Sequence, residues 1–300
     1  MVSIGEMPIW IPRCSSTPGP ASAPIHPATG YPIHYQCPHG DRETPVMTDT
    51  TPSLADAFNQ FFEIVPANTD ALRDVVYRIR YQVYCHELHF ENEADFPDGR
   101  EIDEFDAHSV HCLLRHRPSG EFAGCVRLVL NRSNSPEPQL PLERHCSDSL
   151  DKATLDFSQL DRSSFGEISR LAIISRFRRR PGEAKTAHGV SDEAAAMTPS
   201  ERRVFPHIAL GLYLASATIS LKRGMKMVVV MMEPRLARHM RYFGINFVQA
   251  GDIVDYHGQR GPFFITSDNL HQGMKPEVKA LLSMVDGQLT VPTTPAPMDV

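Results

Sequence analysis

Residues 165–174 read FGEISRLAII, and this run carries Glu167 and Arg170 in a stretch that ends in β-branched residues. Such a run predicts a buried strand. A carboxylate and a guanidinium rarely enter a sheet unless they are paired or used in chemistry. Residues three apart point to opposite faces of a regular strand. Either Arg170 therefore faces away from Glu167, or a bulge at Gly166 or Ser169 re-aims one of them. A polar, bulged central strand suits a substrate site, with a carboxylate able to move a proton; a structural ion pair at a sheet end is the competing reading.

Other charges sit where apolar residues are expected. Arg127 lies inside the apolar strand Cys125-Val126-Arg127-Leu128-Val129-Leu130 and needs an acidic partner, for which Asp103, Asp106 and Glu167 are candidates. Arg80 falls in a row with Val76 and Tyr84 on a helix that Asn68 or Thr69 caps, which places it along the edge of the apolar face. Residues 101–106 hold four carboxylates in six positions, ordinarily a solvated face, although two of them could attract an amine or position an arginine. Arg176, Arg178, Arg179 and Arg180 form a basic run suited to phosphate or an acidic carrier protein, or simply to a soluble basic loop.

Several chemistries lose support. Cys85-His86-Glu87-Leu88-His89 lacks the second cluster a zinc site requires, so no metal is expected, and His108, His111, Cys112 and His116 read as structural. There is no nucleophile elbow, Walker loop or dinucleotide fingerprint. Residues 179–183 offer at best a broken form of the phosphate loop used by acetyl-CoA-dependent enzymes. The formal net charge of -6 argues against a general nucleic-acid binder.

The elements that must position these groups follow from composition and periodicity. The chain has 300 residues, 41% hydrophobic and 22% charged, with no apolar run near the ~20 residues of a bilayer span. Its six cysteines lack pairwise spacing and suit a reducing, cytoplasmic setting. Residues 1–52 carry ten of the 25 prolines and are expected to be disordered, with Met47 a plausible natural start. Residues 53–272 hold the expected domain, and 273–300 a helix around 276–284 followed by a polar tail. Within the domain the order is a strand near 61–65, the helix carrying Arg80, an irregular acidic segment 87–106 that could serve as a lid, and a hairpin of 110–114 and 121–130. A Pro- and Ser-rich connection (131–162), the polar strand, a long helix (204–222), a strand (225–232), a helix (235–243) and short strands at 246–248, 252–256 and 262–266 complete it. This order predicts one α/β domain of the α+β kind, a mixed, mostly antiparallel sheet flanked by helices.

Four motifs in series, Arg80-Tyr81-Gln82-Val83-Tyr84, Asp103-Glu104-Phe105-Asp106, Cys125-Val126-Arg127 and Glu167-Ile168-Ser169-Arg170, resemble those of the acyl-homoserine-lactone (autoinducer) synthases. Met232-Glu233-Pro234-Arg235-Leu236 and Tyr256-His257-Gly258-Gln259-Arg260-Gly261-Pro262 are more similar to the N-acyl amino acid synthases and the acyltransferases associated with the PEP-CTERM/exosortase system. The resemblance covers about residues 55–270. It implies a single acyltransferase domain of the GCN5-related N-acetyltransferase (GNAT) type, and transfer of a long acyl chain from acyl carrier protein or acyl-CoA to the amine of an amino acid or related small molecule. It implies no bound cofactor beyond that thioester co-substrate. By the same resemblance Glu167, Ser169 and Arg170 are the expected catalytic residues, and Arg80, Tyr84, Phe90, Asp103, Asp106 and Arg127 the expected substrate-binding ones. Tyr84 and Phe90 stand where the synthases carry Phe and Trp, which shifts the expected acceptor away from the homoserine-lactone precursor. An apolar slot between strands 171–174 and 227–232 is expected to take the acyl chain, and the Arg176–Arg180 run to steer the carrier. A non-catalytic acyl- or carrier-binding module and a true acyl-homoserine-lactone synthase are the alternatives.

Overall fold

The computed structural model describes residues 52–131, 139–178 and 204–289. The expected N-terminal segment up to residue 51, the tail from 290, and Arg179 and Arg180 lie outside them. Helix α1 (Leu54–Phe61) starts at Ser53, whose hydroxyl accepts from Asp56 N, and leads into β1 (Phe62–Pro66). Helix α2 (Asp70–Arg80) is capped by Thr69, whose Oγ1 accepts from Leu72 N at 3.3 Å. It continues as a π-helical turn, Tyr81–Glu87. Strands β2 (Ser109–His116) and β3 (Phe122–Leu130) form a hairpin whose turn uses Gly120 at φ +72°.

The Pro-rich connection is not structureless. It contains the short helix α3 (Pro141–His145), whose amide groups matter below. Next come β4 (Phe165–Ile173), α4 (Ile208–Lys222), β5 (Met227–Met232), α5 (Pro234–Tyr242), β6 (Val248–Gln249), β7 (Val254–Asp255), β8 (Gln259–Thr266), α6 (Ser267–Gly273) and α7 (Pro276–Gln288). The sheet runs β1-β2-β3-β4-β5-β8-β6, with β7 paired to β8. The β4–β5 pair is parallel and the others are antiparallel, as the sequence reading of a mixed, mostly antiparallel sheet expects.

Strand alternation sorts side chains between two layers. Leu128 and Ile168 face α4, together with Val228 of β5. Helix α4 is apolar nearly all round and is buried from Ile208 to Ser220, so it forms the centre of this layer rather than an amphipathic cover. Helices α1 and α7 close over it. Gly211 allows the approach, because a Cβ there would stand 2.3 Å from the Phe58 ring. On the other face lie Arg127, Val129, Phe165 and Glu167, covered by α2, α3 and the segments around them. Among the described residues no helix is long and apolar enough to cross a membrane.

Candidate active site

Strand β4 pairs with β5 only through Phe165, Gly166 and Glu167, set against Met227, Val228 and Val229. Beyond that rung the two strands separate. The gap opens between 168–171 and 230–232, earlier on β4 than the expected slot at 171–174, because 227–229 are consumed by the ladder. The resulting cleft has about 360 Å³ of free space and is lined among others by Tyr84, Ser169, Arg170, Tyr213, Met231 and Arg260. Ile168 and Tyr213 also line a second, almost wholly apolar pocket of about 300 Å³ between α4, β5 and β8, with Ala217, Phe247 and Ile265 in its wall. The two pockets share Ile168 and Tyr213 as a common wall.

The bulge lies next to Ser169, one residue beyond the expected position. Cys125 pairs with Ala172 and Arg127 with Ser169, so Arg170 and Leu171 together oppose Val126. Arg170 takes φ +49°, a left-handed conformation that costs a non-glycine residue about 1 kcal/mol. The surroundings hold it there. Its Nη2 lies 3.1 Å from Glu101, 3.2 Å from Asp103 and 3.5 Å from Glu91. The π turn places Tyr84 so that its hydroxyl donates to Leu171 O at 2.7 Å, tying the far side of the bulge. Helical stepping from Val76 places Arg80 at the edge of the apolar face, as the sequence expects. There Arg80 is fully buried beneath the acidic segment.

Arg80, Arg127 and Arg170 converge on one set of carboxylates. Arg80 Nε donates to Glu101 and its Nη1 to Asp106 Oδ1 at 2.6 Å. Arg127 Nη1 donates to Asp103 at 2.5 Å and Asp106 at 2.8 Å, and its Nε to Ser169 Oγ at 3.0 Å. Glu167 is not a partner of Arg127. Residues 101–106 are thus no solvated face: Glu101 and Asp106 are buried. Burial alone would raise both carboxyls, but the guanidiniums override it. Arg80 and Arg170 hold Glu101 at about 2, and Arg80 and Arg127 hold Asp106 well below the usual carboxylate range. His111, 3.6 Å from Asp106, is pushed down to about 3 by burial and stays neutral.

Glu167 occupies a different environment. It faces the apolar layer of Val129, Phe165 and Val229, and its Oε2 accepts a 2.8 Å hydrogen bond from Leu142 N in the first turn of α3. Glu143, at the N3 position of α3, takes the earlier amides of Gln139 and Leu140 and pairs with Arg162, leaving Leu142 N for Glu167. Burial pushes the Glu167 carboxyl up to about 8, against weaker lowering by the Leu142 N–H, Arg127 and Arg170. Glu167 is thus a buried carboxyl poised near neutrality one rung behind the gap, and is not itself among the residues lining the cleft.

Aromatic residues wall the cleft's outer side. Phe90 stacks on Tyr84 at 6.3 Å and lies 5.3 Å from His257, whose ring is 3.6 Å from Glu91. Of the basic run only Arg176 and Arg178 lie among the described residues. Arg178 is 4% exposed and bound to Glu87, which also accepts from Ser175 N, so it clamps the end of β4 to the π turn. Arg176 pairs with Glu121 at 2.8 Å. Among the described residues no group of three or more His, Cys, Asp or Glu could hold a metal ion. Sequence reasoning gave no role to Glu91, Glu143, Tyr213, His257 or Arg260, and took Glu101 only as one of four carboxylates of which two could position an arginine. For Glu101 the available signal was the excess of buried arginines over assigned partners.

Residues 79–187 match the acetyltransferase (GNAT) domain family. The match and the topology together define a GNAT-type fold: a mixed, mostly antiparallel eight-stranded sheet flanked by helices. Among solved structures, the chain is similar to BjaI, a CoA-dependent acyl-homoserine lactone synthase solved with SAM and isopentyl-CoA. The identity is 16%, with 76% of this chain and 89% of that one covered at a TM-score of 0.47. It is similar to FeeM, an N-acyl amino acid synthase from uncultured soil microbes, at 14% identity, 71% and 94% coverage and a TM-score of 0.44. A putative N-acetyltransferase from Lactobacillus plantarum aligns at 14% identity, 69% and 98% coverage and a TM-score of 0.40. Comparison with curated protein sequences gives no match.

Proposed function

We propose that this protein transfers an acyl group from a thioester to the primary amine of an amino acid or related small molecule. The observation that carries this reading is the gap between β4 and β5, which has Ser169, Arg170 and Arg260 in its lining, shares Ile168 and Tyr213 with an apolar pocket and has the buried carboxyl of Glu167 one rung behind it. The acyl chain enters the pocket walled by Ile168, Tyr213 and Ala217. The thioester carbonyl lies in the gap, between backbone groups that no longer pair across it. The amine nitrogen bonds to the carbonyl carbon, the C–S bond breaks, and the thiolate leaves. Glu167 in its ionised form receives the amine's proton through an intervening water and returns a proton to the thiolate. Ser169 and Arg170 stand at the gap and polarise the developing oxyanion. Arg80, Arg127, Asp103 and Asp106 hold the acidic segment and the bulge in place, while Tyr84 and Phe90 form the aromatic wall.

The donor in this reading is an acyl carrier protein or coenzyme A thioester. With Arg178 turned inward, carrier attraction falls to Arg176 and to residues 179–180. We place the reaction in the cytoplasm, where such thioesters are made.

The test is to incubate the protein with decanoyl-loaded acyl carrier protein or decanoyl-CoA and a mixture of amino acids, and to look for acyl amides by mass spectrometry. Amide formation is expected. Tight thioester binding without any amide would assign the protein to the non-catalytic acyl-binding class instead. In the same assay Ala217→Phe should lower decanoyl transfer roughly 10-fold or more while leaving butyryl transfer near wild type, since the added ring fills the pocket. An unchanged chain-length profile would place the acyl group elsewhere.

A further inference from the structure

Arg260 enters the cleft from β8 and is the one guanidinium lining it, apart from Arg170, among the described residues. Arg170 is saturated with carboxylates. Arg260 is not. Its Nε and Nη2 are both enclosed, and neither has a hydrogen-bond partner among the described residues. Glu233 lines the same cleft without pairing to it. The plane of the guanidinium is fixed by stacking, with Cζ 5.6 Å from the centre of the Phe90 ring, and Phe90 is itself stacked on Tyr84.

The identity of the two orphaned nitrogens matters. Nε–H and Nη2–H point the same way and form the side-on fork that matches a carboxylate. This protein uses that edge elsewhere: Arg100 sets Nε and Nη2 on Asp98 Oδ2 at 2.8 and 2.6 Å, and Arg115 presents the same two atoms to Glu63. At Arg260 the fork is built, held flat and desolvated, but no carboxylate among the described residues occupies it. Leaving such donors without a partner is costly. The fork shares the cleft with Ser169 and Arg170, so a group bound to it lies within the span of a small molecule from the gap where the thioester carbonyl would sit.

We propose that Arg260 is the specificity residue for the acceptor and binds its free carboxylate, so that the substrates are amino acids with an unblocked carboxyl group. This rests on the acyltransferase reading for the location of the amine, but the fork itself is independent of catalysis. Phosphate also fits a guanidinium edge, and the experiment includes it.

The experiment measures binding of N-decanoyl-alanine, its methyl ester and decyl phosphate to the full chain by calorimetry, for wild type, Arg260→Gln and Arg260→Lys. Wild type should bind the acid roughly 10- to 100-fold more tightly than the ester, the range expected for a charge-assisted bidentate pair. Arg260→Gln should lose the preference, and Arg260→Lys should keep only part of it. Equal binding of acid and ester by wild type would overturn the proposal even if the variants do not fold. A preference retained in folded Arg260→Gln would overturn it, and so would decyl phosphate bound more tightly than the acid. Transfer to alanine and to alanine methyl ester, measured in parallel, separates the two ideas. Acid preference in binding with no amide formed would remove the acyltransferase reading and leave the carboxylate site. Amide formed equally from acid and ester would do the reverse.

Discussion

Glu101 and Glu167 are both almost completely buried, at 1% and 2% exposure, and both lie beside arginines, yet their proton affinities diverge in opposite directions. Glu101 is ringed by Arg80 and Arg170 and is held ionised at about 2. Glu167 faces Val129, Phe165 and Val229, receives one backbone N–H, and sits near 8. The same side chain is a fixed counter-charge in one place and a poised acid–base group in the other. The difference lies in contact: guanidiniums touch Glu101, whereas Arg127 and Arg170 act on Glu167 only from a distance, their own hydrogen bonds going to Asp103, Asp106, Ser169 and Glu101. Paired acids and bases driven apart by environment in this way are a signature of proton-transfer sites.

The comparison can be broken most severely at Arg80. Arg80→Ala strips Glu101 and Asp106 of a shared partner and should cost about 3–5 kcal/mol of stability, read by chemical denaturation. A loss below about 1 kcal/mol would mean that the network is not what holds these carboxylates ionised. Next in size is the pH dependence, and the two glutamates pull in opposite senses. The folded-state value of Glu101 lies below its ordinary 4.5, so its contribution is present above pH 4.5 and is lost as pH falls toward 2, on the order of 3 kcal/mol. The folded-state value of Glu167 lies above 4.5, so its contribution is present below pH 4.5 and is lost as pH rises through 8. Glu167→Gln should therefore be more stable relative to wild type at pH 8 than at pH 5, by a few kcal/mol. The opposite trend would place Glu167 in a charged setting. The smallest effect is at Tyr84. Tyr84→Phe removes the hydroxyl that donates to Leu171 O and should cost about 1–2 kcal/mol. A neutral substitution would show that water replaces that bond and that the bulge does not depend on it.

Much of this was legible in the residues. The misplaced charges of β4 left two options, opposite faces for Glu167 and Arg170 or a bulge at Gly166 or Ser169, and the structure has a bulge beside Ser169. Arg127, buried in an apolar strand, called for an acidic partner, and Asp103 and Asp106 supply it. What stayed hidden depends on contacts far apart in sequence or on unusual backbone. The π turn that follows Arg80 shifts the facing of Tyr84, and no periodicity predicts it. Glu101 looked like one of several solvated acids because its burial is decided by two arginines from two other elements, Arg80 of α2 and Arg170 of β4. Arg178 looked like part of a basic patch because Glu87, its partner, is 91 residues away. Helix α3 escaped notice because five residues carry too little periodicity, yet among the described residues its amide is the one hydrogen-bond donor on Glu167.

The central claim is that Glu167 moves the proton during transfer at the β4–β5 gap. Its most direct test is the pH–rate profile of wild type and Glu167→Gln with the same thioester and amine. Wild type should rise with pH to a shoulder near 8, and the glutamine variant, folded, should be slower by roughly 10²- to 10⁴-fold and lack that shoulder. A folded Glu167→Gln protein with the wild-type rate and the same shoulder would contradict the account.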